Sequence, residues 1–426
     1  MCCFNSYFEQ KMQILLHAPQ LLRHETALPA SKSISNRALI IHALAGGENQ
    51  PRNISDCDDT AVMVKALAQP TPEPIDIMAA GTAMRFLTAY WAVQPGTHTL
   101  TGTERMKQRP IGILVDALRA LGAHIEYVEN EGFPPLRISG GAHEGGRLEL
   151  PGNVSSQYIS ALLMIGPALN QGLELGLTGD IISRPYIDLT LKLMKDFGAK
   201  AEWTNERHIS VAPVPYRPIP YYIENDWSAA SYWYEMVALT RDAEAEVVLT
   251  GLHEYSAQGD SAVRTMFEPL GVRTEFFRRG EVPCVRLTRH DVATRHLEYD
   301  FTNQPDLAQT LVVACAMRGI SFHFTGLQSL KIKETDRIDA LIRELGKLGY
   351  PLQEARGAEL SWNGERTAAE DTPAIDTYED HRMAMAFAPC CLVRPEIRIN
   401  HPQVVSKSYP NFWNHLQAAG FEITEP

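Results

Sequence analysis

The chain repeats itself at long range. A helical run that closes on glycine and continues as a strand recurs as ALRALGAHIEYV, LMKDFGAKAEWT, MFEPLGVRTEFF, IRELGKLGYPLQ and HLQAAGFEI. The glycines, Gly122, Gly198, Gly271, Gly349 and Gly420, stand 76, 73, 78 and 71 residues apart. A helix that ends through the left-handed region favours glycine there. A hairpin pattern such as AKAEWT-NER-HISVA follows most copies.

Two further elements keep the same phase. Thr-Gly follows a strand at Thr101-Gly102, Thr178-Gly179, Thr250-Gly251 and Thr325-Gly326. A strand, a polar turn and an apolar helix recur six times, in LPASKSISNRALIIHAL, MAAGTAMRFLTAYW, GNVSSQYISALLMI, NDWSAASYWYEMV, NQPDLAQTLVVACA and YEDHRMAMAFAPCC. The chain therefore reads as an α/β protein of six β-α-β-α-β-β units, each about 70 residues long. The first is shortened, because PTPEP leaves no room for its hairpin. The period exceeds that of common solenoid repeats, so three units per globular domain are expected rather than one continuous array. A length of 426 residues fits two such domains.

The turns before the apolar helices are basic, although the chain is not. Its 39 Lys+Arg against 51 Asp+Glu give a formal charge of −12, which argues against sequence-independent nucleic-acid binding. Yet LPASKSISNR holds Lys32 and Arg37 and no acid, at a helix start where free N–H groups and the helix dipole favour an anion. A plain N-cap with solvated charges would leave the same local pattern. The equivalent turns hold Gly81-Thr82 with Arg85, Ser155-Ser156-Gln157, Asp226 with Ser228, Asp306, and Asp380-His381-Arg382. The Thr-Gly loops add Arg105, Lys107 and Arg109, then Ser183-Arg184, then Lys331, Lys333 and Arg337, and the last unit adds Lys407. Converging loops of this kind would suit a small ligand with several negative charges. Asp306 and Glu334 stand among cations, either as ion-pair partners or as proton carriers. Asp336 and Asp380 read as orienting neighbouring cations, and His381 as a packed or capping residue.

Several classes are not indicated. No apolar run reaches membrane-spanning length, and the start lacks the pattern of a signal peptide, so a cytoplasmic protein is expected. Met12 opens the first strand-like run, which makes Met1 to Lys11 a tail or a misplaced start. The seven cysteines form no C-x-x-C and read as buried inert thiols. The histidines lack metal-ligand spacing, and no glycine-rich nucleotide loop is present. Neither a metal nor an organic cofactor is expected.

The strings LPASKSISNR, AAGTAMR, RMKQRPIGILVDALRALGA, SSQY, SRPYI, DWSAASY, PDLAQTL, KETDRI, DHRMAMA and KSYP, in this order from Leu28 to Phe412, resemble the EPSP synthase family of enolpyruvyl transferases. The resemblance implies two domains of three units each that close over the substrates, with residues 30–225 in one and 1–29 with 226–426 in the other. It implies transfer of the enolpyruvyl group of phosphoenolpyruvate to the 5-hydroxyl of shikimate 3-phosphate, on the way to chorismate and the aromatic amino acids. Lys32, Ser33, Arg37, Ser155, Ser156, Gln157, Ser183, Tyr186, Asp306, Ser329 and Lys333 would hold shikimate 3-phosphate. Lys32, Gly81, Arg109, Gln157, Arg337, Arg382 and Lys407 would hold phosphoenolpyruvate. Asp306, Glu334 and Lys32 would carry protons, their roles undivided. Partners beyond the two substrates, whether nucleic acid, membrane or a second subunit, are not implied.

Ala30 stands where most members have glycine, Ala79 where they have asparagine, Phe86 where they have proline and Ser329 where they have asparagine. Ala79 and Phe86 bear on the affinity for glyphosate. Two alternatives are weaker. The UDP-N-acetylglucosamine enolpyruvyl transferases carry a loop cysteine that GTERMKQRP lacks, and a non-catalytic relative would be expected to lose Lys32, Asp306 or Glu334.

Overall fold

The computed structural model describes residues 12–48, 50–68 and 74–425, so the reading of Met1 to Lys11 and most of PTPEP lie outside the described residues. The chain folds as two compact units, one from the chain up to Pro29 and from Glu224 onward, the other Ala30–Ile223. No helix among the described residues is long and apolar enough to cross a membrane.

Among the described residues five four-stranded sheets carry the fold, and all share one order of parallel and antiparallel pairings. In each, one strand pairs in parallel with a second, the second antiparallel with a third and the third antiparallel with a fourth, and in four of the five the last two form a hairpin. Unit 30–223 holds two of them. The first runs Ile75–Asp76, Gly96–Thr101, Leu136–Gly140, His124–Tyr127, and the second Gly146–Pro151, Leu173–Thr178, His208–Val211, Ala201–Trp203. The other unit holds three. One of these runs His296–Asp300, Ser321–Thr325, Glu359–Trp362, Gln353–Ala355.

The N-terminal strands complete the remaining two sheets. Gln13–His17 lies antiparallel between Ile397–Asn400 and Glu422–Thr424, and Arg23–Ala27 runs parallel to Glu246–Thr250. Alternation explains why these segments become strands. In QILLH, Ile14 and Leu16 are fully buried while their neighbours are half-exposed. In SFHFT, Phe322 and Phe324 point inward and stack at 4.5 Å.

All five period-setting glycines adopt positive φ, between 86° and 106°. The first unit departs further from the repeat than its missing hairpin suggests. Residues 30–68 form the helices Lys32–Leu44 and Asp58–Ala68 and, among the described residues, no strand, but isolated bridge positions at Ala30 and at Arg52, which pairs with Tyr222. Among the described residues the first repeat has no pair of strands to seed a sheet, and five repeats carry one.

Within each unit the sheets enclose helices that are apolar nearly all round. Gly81–Ala92 is buried except at Thr82, and Trp227–Leu239 except at Ser228. The one residue of each that is not buried, Thr82 or Ser228, is the second of its helix, so these helices open toward the site at their starts.

Candidate active site

In unit 30–223, four helix starts are tied together. Ser31 caps Lys32–Leu44, accepting the Ile34 N–H at 3.4 Å. Lys32, the first helical residue, sets its ammonium 3.2 Å from Asp59. Arg37 is only 3% exposed. It donates to Thr190 Oγ1 at 2.7 Å, Ser33 O at 2.9 Å, Ser160 Oγ at 3.2 Å and Tyr186 O at 3.5 Å. These acceptors lie on Lys32–Leu44, Ser156–Ile165 and Arg184–Asp196. Gln157 Nε2 then donates to Thr82 Oγ1 at 3.1 Å, joining Ser156–Ile165 to Gly81–Ala92 at their second positions. Burial pushes the Arg37 guanidinium down to about 10 despite the opposing charge of Tyr186, so it stays protonated at neutral pH.

Gly81 begins its helix with no side-chain cap from Ala80. A Cβ at Gly81 would stand 2.7 Å from Arg109 Nη1 and 2.9 Å from Arg85 Nη1. Two guanidiniums therefore lie over an uncapped helix start. Arg85 donates back to Gly81 O at 2.9 Å, whereas buried Arg109 Nε has no acceptor among the described residues. Donors in this arrangement suit a carboxylate or phosphate.

Ser155 caps its helix through the Gln157 N–H at 3.4 Å, and Ser156 is half-buried beside it. Ser183, 6% exposed, is held at φ 56° and caps nothing with its side chain. Non-glycine residues with positive φ precede other starts too: Met78 before Gly81, Tyr378 and Glu379 before Asp380, and His401 before the turn that ends at Lys407. Strain of this kind, of order 1–3 kcal/mol per residue, gathers at functional sites.

In the other unit the organising group is Arg337, 1% exposed. It donates to Asp380 Oδ2 at 2.7 Å, Glu334 Oε2 at 2.8 Å and Asp306 Oδ1 at 3.2 Å. Burial opposes its charge, but Asp380, Glu334 and Asp306 outweigh burial and hold its pKa above the ordinary value. Arg382 Nη2 reaches Asp306 Oδ2 at 3.0 Å, and Lys333 Nζ lies 3.3 Å from Asp306 Oδ1. Asp306 thus takes three cations, with its side chain still 21% exposed.

Asp380 caps the helix His381–Phe387, accepting the Arg382 N–H at 2.9 Å, and Asp336 caps Arg337–Lys347. His381 is buried beside Asp380, as a packed residue would be. Lys407 donates to Glu379 O at 2.7 Å, and Ser329 sits half-buried in the turn Gln328–Ile332.

The structure brings the expected residues into these two groups, with different accents. Arg37 braces helix starts more than it displays charge. Phe86 is fully buried with the Arg37 guanidinium 5.3 Å from its ring centre. Asp59, Ser160, Thr190 and Asp260 were not singled out by motif. Of these only Asp59 had a local signal, the acidic run DCDD at a helix start. The five described cysteines are buried, and burial raises the thiols of Cys57, Cys315, Cys390 and Cys391.

The fold is that of the α/β enolpyruvyl transferases. The structure of EPSP synthase from Acinetobacter baumannii matches with a TM-score of 0.75 at 22% identity, over 97% of this chain and 100% of that one. The enolpyruvyl transferase NikO from Streptomyces tendae matches with 0.73 at 13% identity, over 97% and 98%. In sequence, residues 16–70 and 67–416 match the family EPSP synthase (3-phosphoshikimate 1-carboxyvinyltransferase). The 3-phosphoshikimate 1-carboxyvinyltransferase of Bacteroides fragilis is 60% identical over 412 residues, covering 97% of this chain and 99% of that protein. That of a Sulfurovum species is 35% identical over 444 residues, covering 95% and 98%. The chain belongs to the EPSP synthase family, and its activity is that of a 3-phosphoshikimate 1-carboxyvinyltransferase.

Proposed function

We propose that the chain binds shikimate 3-phosphate and phosphoenolpyruvate through the residues described above and that Asp306 is the base of the reaction. The observation that carries this reading is the set of three cations around a carboxylate that stays 21% exposed. Gly81, Arg109, Arg337, Arg382 and Lys407 hold phosphoenolpyruvate, whose carboxylate and phosphate match guanidinium forks. Lys32, Ser33, Arg37, Ser155, Ser156, Gln157, Ser183, Tyr186, Ser329 and Lys333 hold shikimate 3-phosphate. Lys32 and Gln157 touch both substrates.

The reaction is addition followed by elimination. Carbon 3 of phosphoenolpyruvate takes a proton, which leaves carbon 2 electrophilic. The 5-hydroxyl of shikimate 3-phosphate attacks carbon 2 and gives its proton to Asp306. The tetrahedral intermediate then loses a proton from carbon 3 and phosphate from carbon 2, which forms the enol ether. Glu334 and Lys32 exchange the proton at carbon 3.

The finer organisation belongs to the same proposal. Residues 30–225 form a domain with most of the shikimate 3-phosphate site. Residues 1–29 with 226–426 form the domain of Asp306, Glu334 and much of the phosphoenolpyruvate site. Each derives from three repeats, and the protein works as a cytoplasmic monomer. Phosphate release from phosphoenolpyruvate tests the substrate assignment. Release is expected with shikimate 3-phosphate and not with UDP-N-acetylglucosamine, and the reverse would overturn it.

A further inference from the structure

Asp260 stands in AQGDSAV, outside every motif singled out above. It lies in the turn Gly259–Ala262 and is 3% exposed. The Ser228 hydroxyl donates to its Oδ2. Ser228 is the second residue of Trp227–Leu239, and its N–H goes to the cap, Asp226, at 2.8 Å. The same helix packs against both the turn of Asp260 and the turn Pro305–Leu307 that carries Asp306.

The charges of Asp306, Arg382 and Asp226 act on Asp260. Asp260 also acts on Tyr299 of the strand His296–Asp300. Tyr299 in turn donates to Gln304, two residues before Asp306, at 3.1 Å. Burial first, then the charge of Asp306, pushes the Asp260 carboxyl up to about 6, against Arg382 and the Ser228 hydrogen bond, with Asp226 adding to the rise.

This placement answers a difficulty in the proposed chemistry. Arg337, Arg382 and Lys333 all lie within 3.3 Å of Asp306, and each cation favours its ionised form and weakens it as a base. A second carboxylate beside Asp306 acts in the opposite direction, and the two then titrate as a pair. We propose that Asp260 is a positioning residue for the reaction: held by Ser228, its carboxylate offsets the pull of Arg382 on Asp306 and keeps Asp306 able to take the substrate's proton. This rests on Asp306 being the base.

Steady-state kinetics of Asp260→Asn across the pH range test it. The variant keeps the side chain's shape and removes its charge. Its kcat is expected to fall about tenfold, a partial loss of general-base catalysis, while KM for either substrate changes by less than about threefold. The acid limb of its kcat profile is expected to move to lower pH, because Asp306 loses its negative neighbour. Asp260→Glu should return the limb towards the parent. If Asp260→Asn fails to fold, Ser228→Ala is expected to move the limb in the same direction by less, and an unmoved limb there counts against the proposal.

An unmoved limb in Asp260→Asn with near-parent kcat, or a loss seen only in KM or melting temperature, would mean that Asp260 merely packs and would overturn the proposal. Asp306→Asn is measured beside it. If that variant is inactive while Asp260→Asn is normal, only the role of Asp260 falls. If Asp306→Asn stays active, the base assignment falls first.

Discussion

Gly81→Ala separates binding from folding at the phosphoenolpyruvate site. The new Cβ would stand 2.7 and 3.0 Å from the two Nη atoms of Arg109, and 2.9 Å from Arg85 Nη1. Optimal contact lies near 3.5 Å, so the Arg109 guanidinium must retreat by about 0.8 Å. Both neighbours are the far ends of flexible side chains, so the fold can adjust. Alanine also favours the helix over glycine by up to about 1 kcal/mol.

The retreat falls on the ligand. A hydrogen bond to a charged group contributes about 1.5–3 kcal/mol, and losing half of one such bond is a roughly four- to twelve-fold loss of affinity. Initial-rate kinetics should show KM for phosphoenolpyruvate raised roughly four- to twelve-fold. KM for shikimate 3-phosphate should move less, and the melting temperature should stay within about 4 °C of the parent. An unchanged KM for phosphoenolpyruvate would refute the placement of its anion at Gly81 and Arg109. A large fall in melting temperature with unchanged KM would show that the glycine serves the fold instead.

Two further predictions concern stability against pH. Both oxygens of Glu235 are buried without a hydrogen-bond partner among the described residues, and burial holds its pKa well above the ordinary 4.5. The folded state therefore keeps a proton that the unfolded chain releases above 4.5, so this group makes stability fall as pH rises. Glu235→Gln should be more stable than the parent at neutral pH, by a margin that shrinks toward pH 4.5, and a pH-independent difference in urea unfolding would contradict this. His415 lies 2.8 Å from the Tyr409 hydroxyl and is lowered to about 4 by burial and then by His24. Between its ordinary 6.5 and 4 the unfolded chain binds more protons, so stability is lost as pH falls through that window. His415→Gln should flatten this acid slope, and an unchanged slope would assign it to other groups.

Short-range pattern carried much of the fold. The spacing of Gly122, Gly198, Gly271, Gly349 and Gly420 marks helix ends because a positive φ is a local demand, and all five adopt it. The helix starts were legible for the same reason, since Ser31, Ser155, Asp336 and Asp380 each cap within a few residues of themselves. Side-chain pairing across the chain was not. SKSISNR marked Arg37 as an anion ligand, but its hydrogen bond to Thr190, 153 residues away, has no signal in the segment. Asp260 carried no mark in AQGDSAV, because its meaning comes from Ser228 and Asp306, which approach only in the folded unit. The absent first sheet was half visible. PTPEP announced a missing hairpin, but the loss of the remaining strand pairing depends on what a lone strand can pair with.

The account rests on Asp306 as the base, and the turnover of Asp306→Ala tests that most directly. The variant loses the carboxylate that Arg337, Arg382 and Lys333 surround. Phosphate release at saturating shikimate 3-phosphate and phosphoenolpyruvate should fall on the order of 10²–10⁴-fold, the scale of a lost general base. Both substrates should still bind, because the cations and helix starts that hold them remain. A variant that binds both substrates and turns over within a few-fold of the parent would contradict the account.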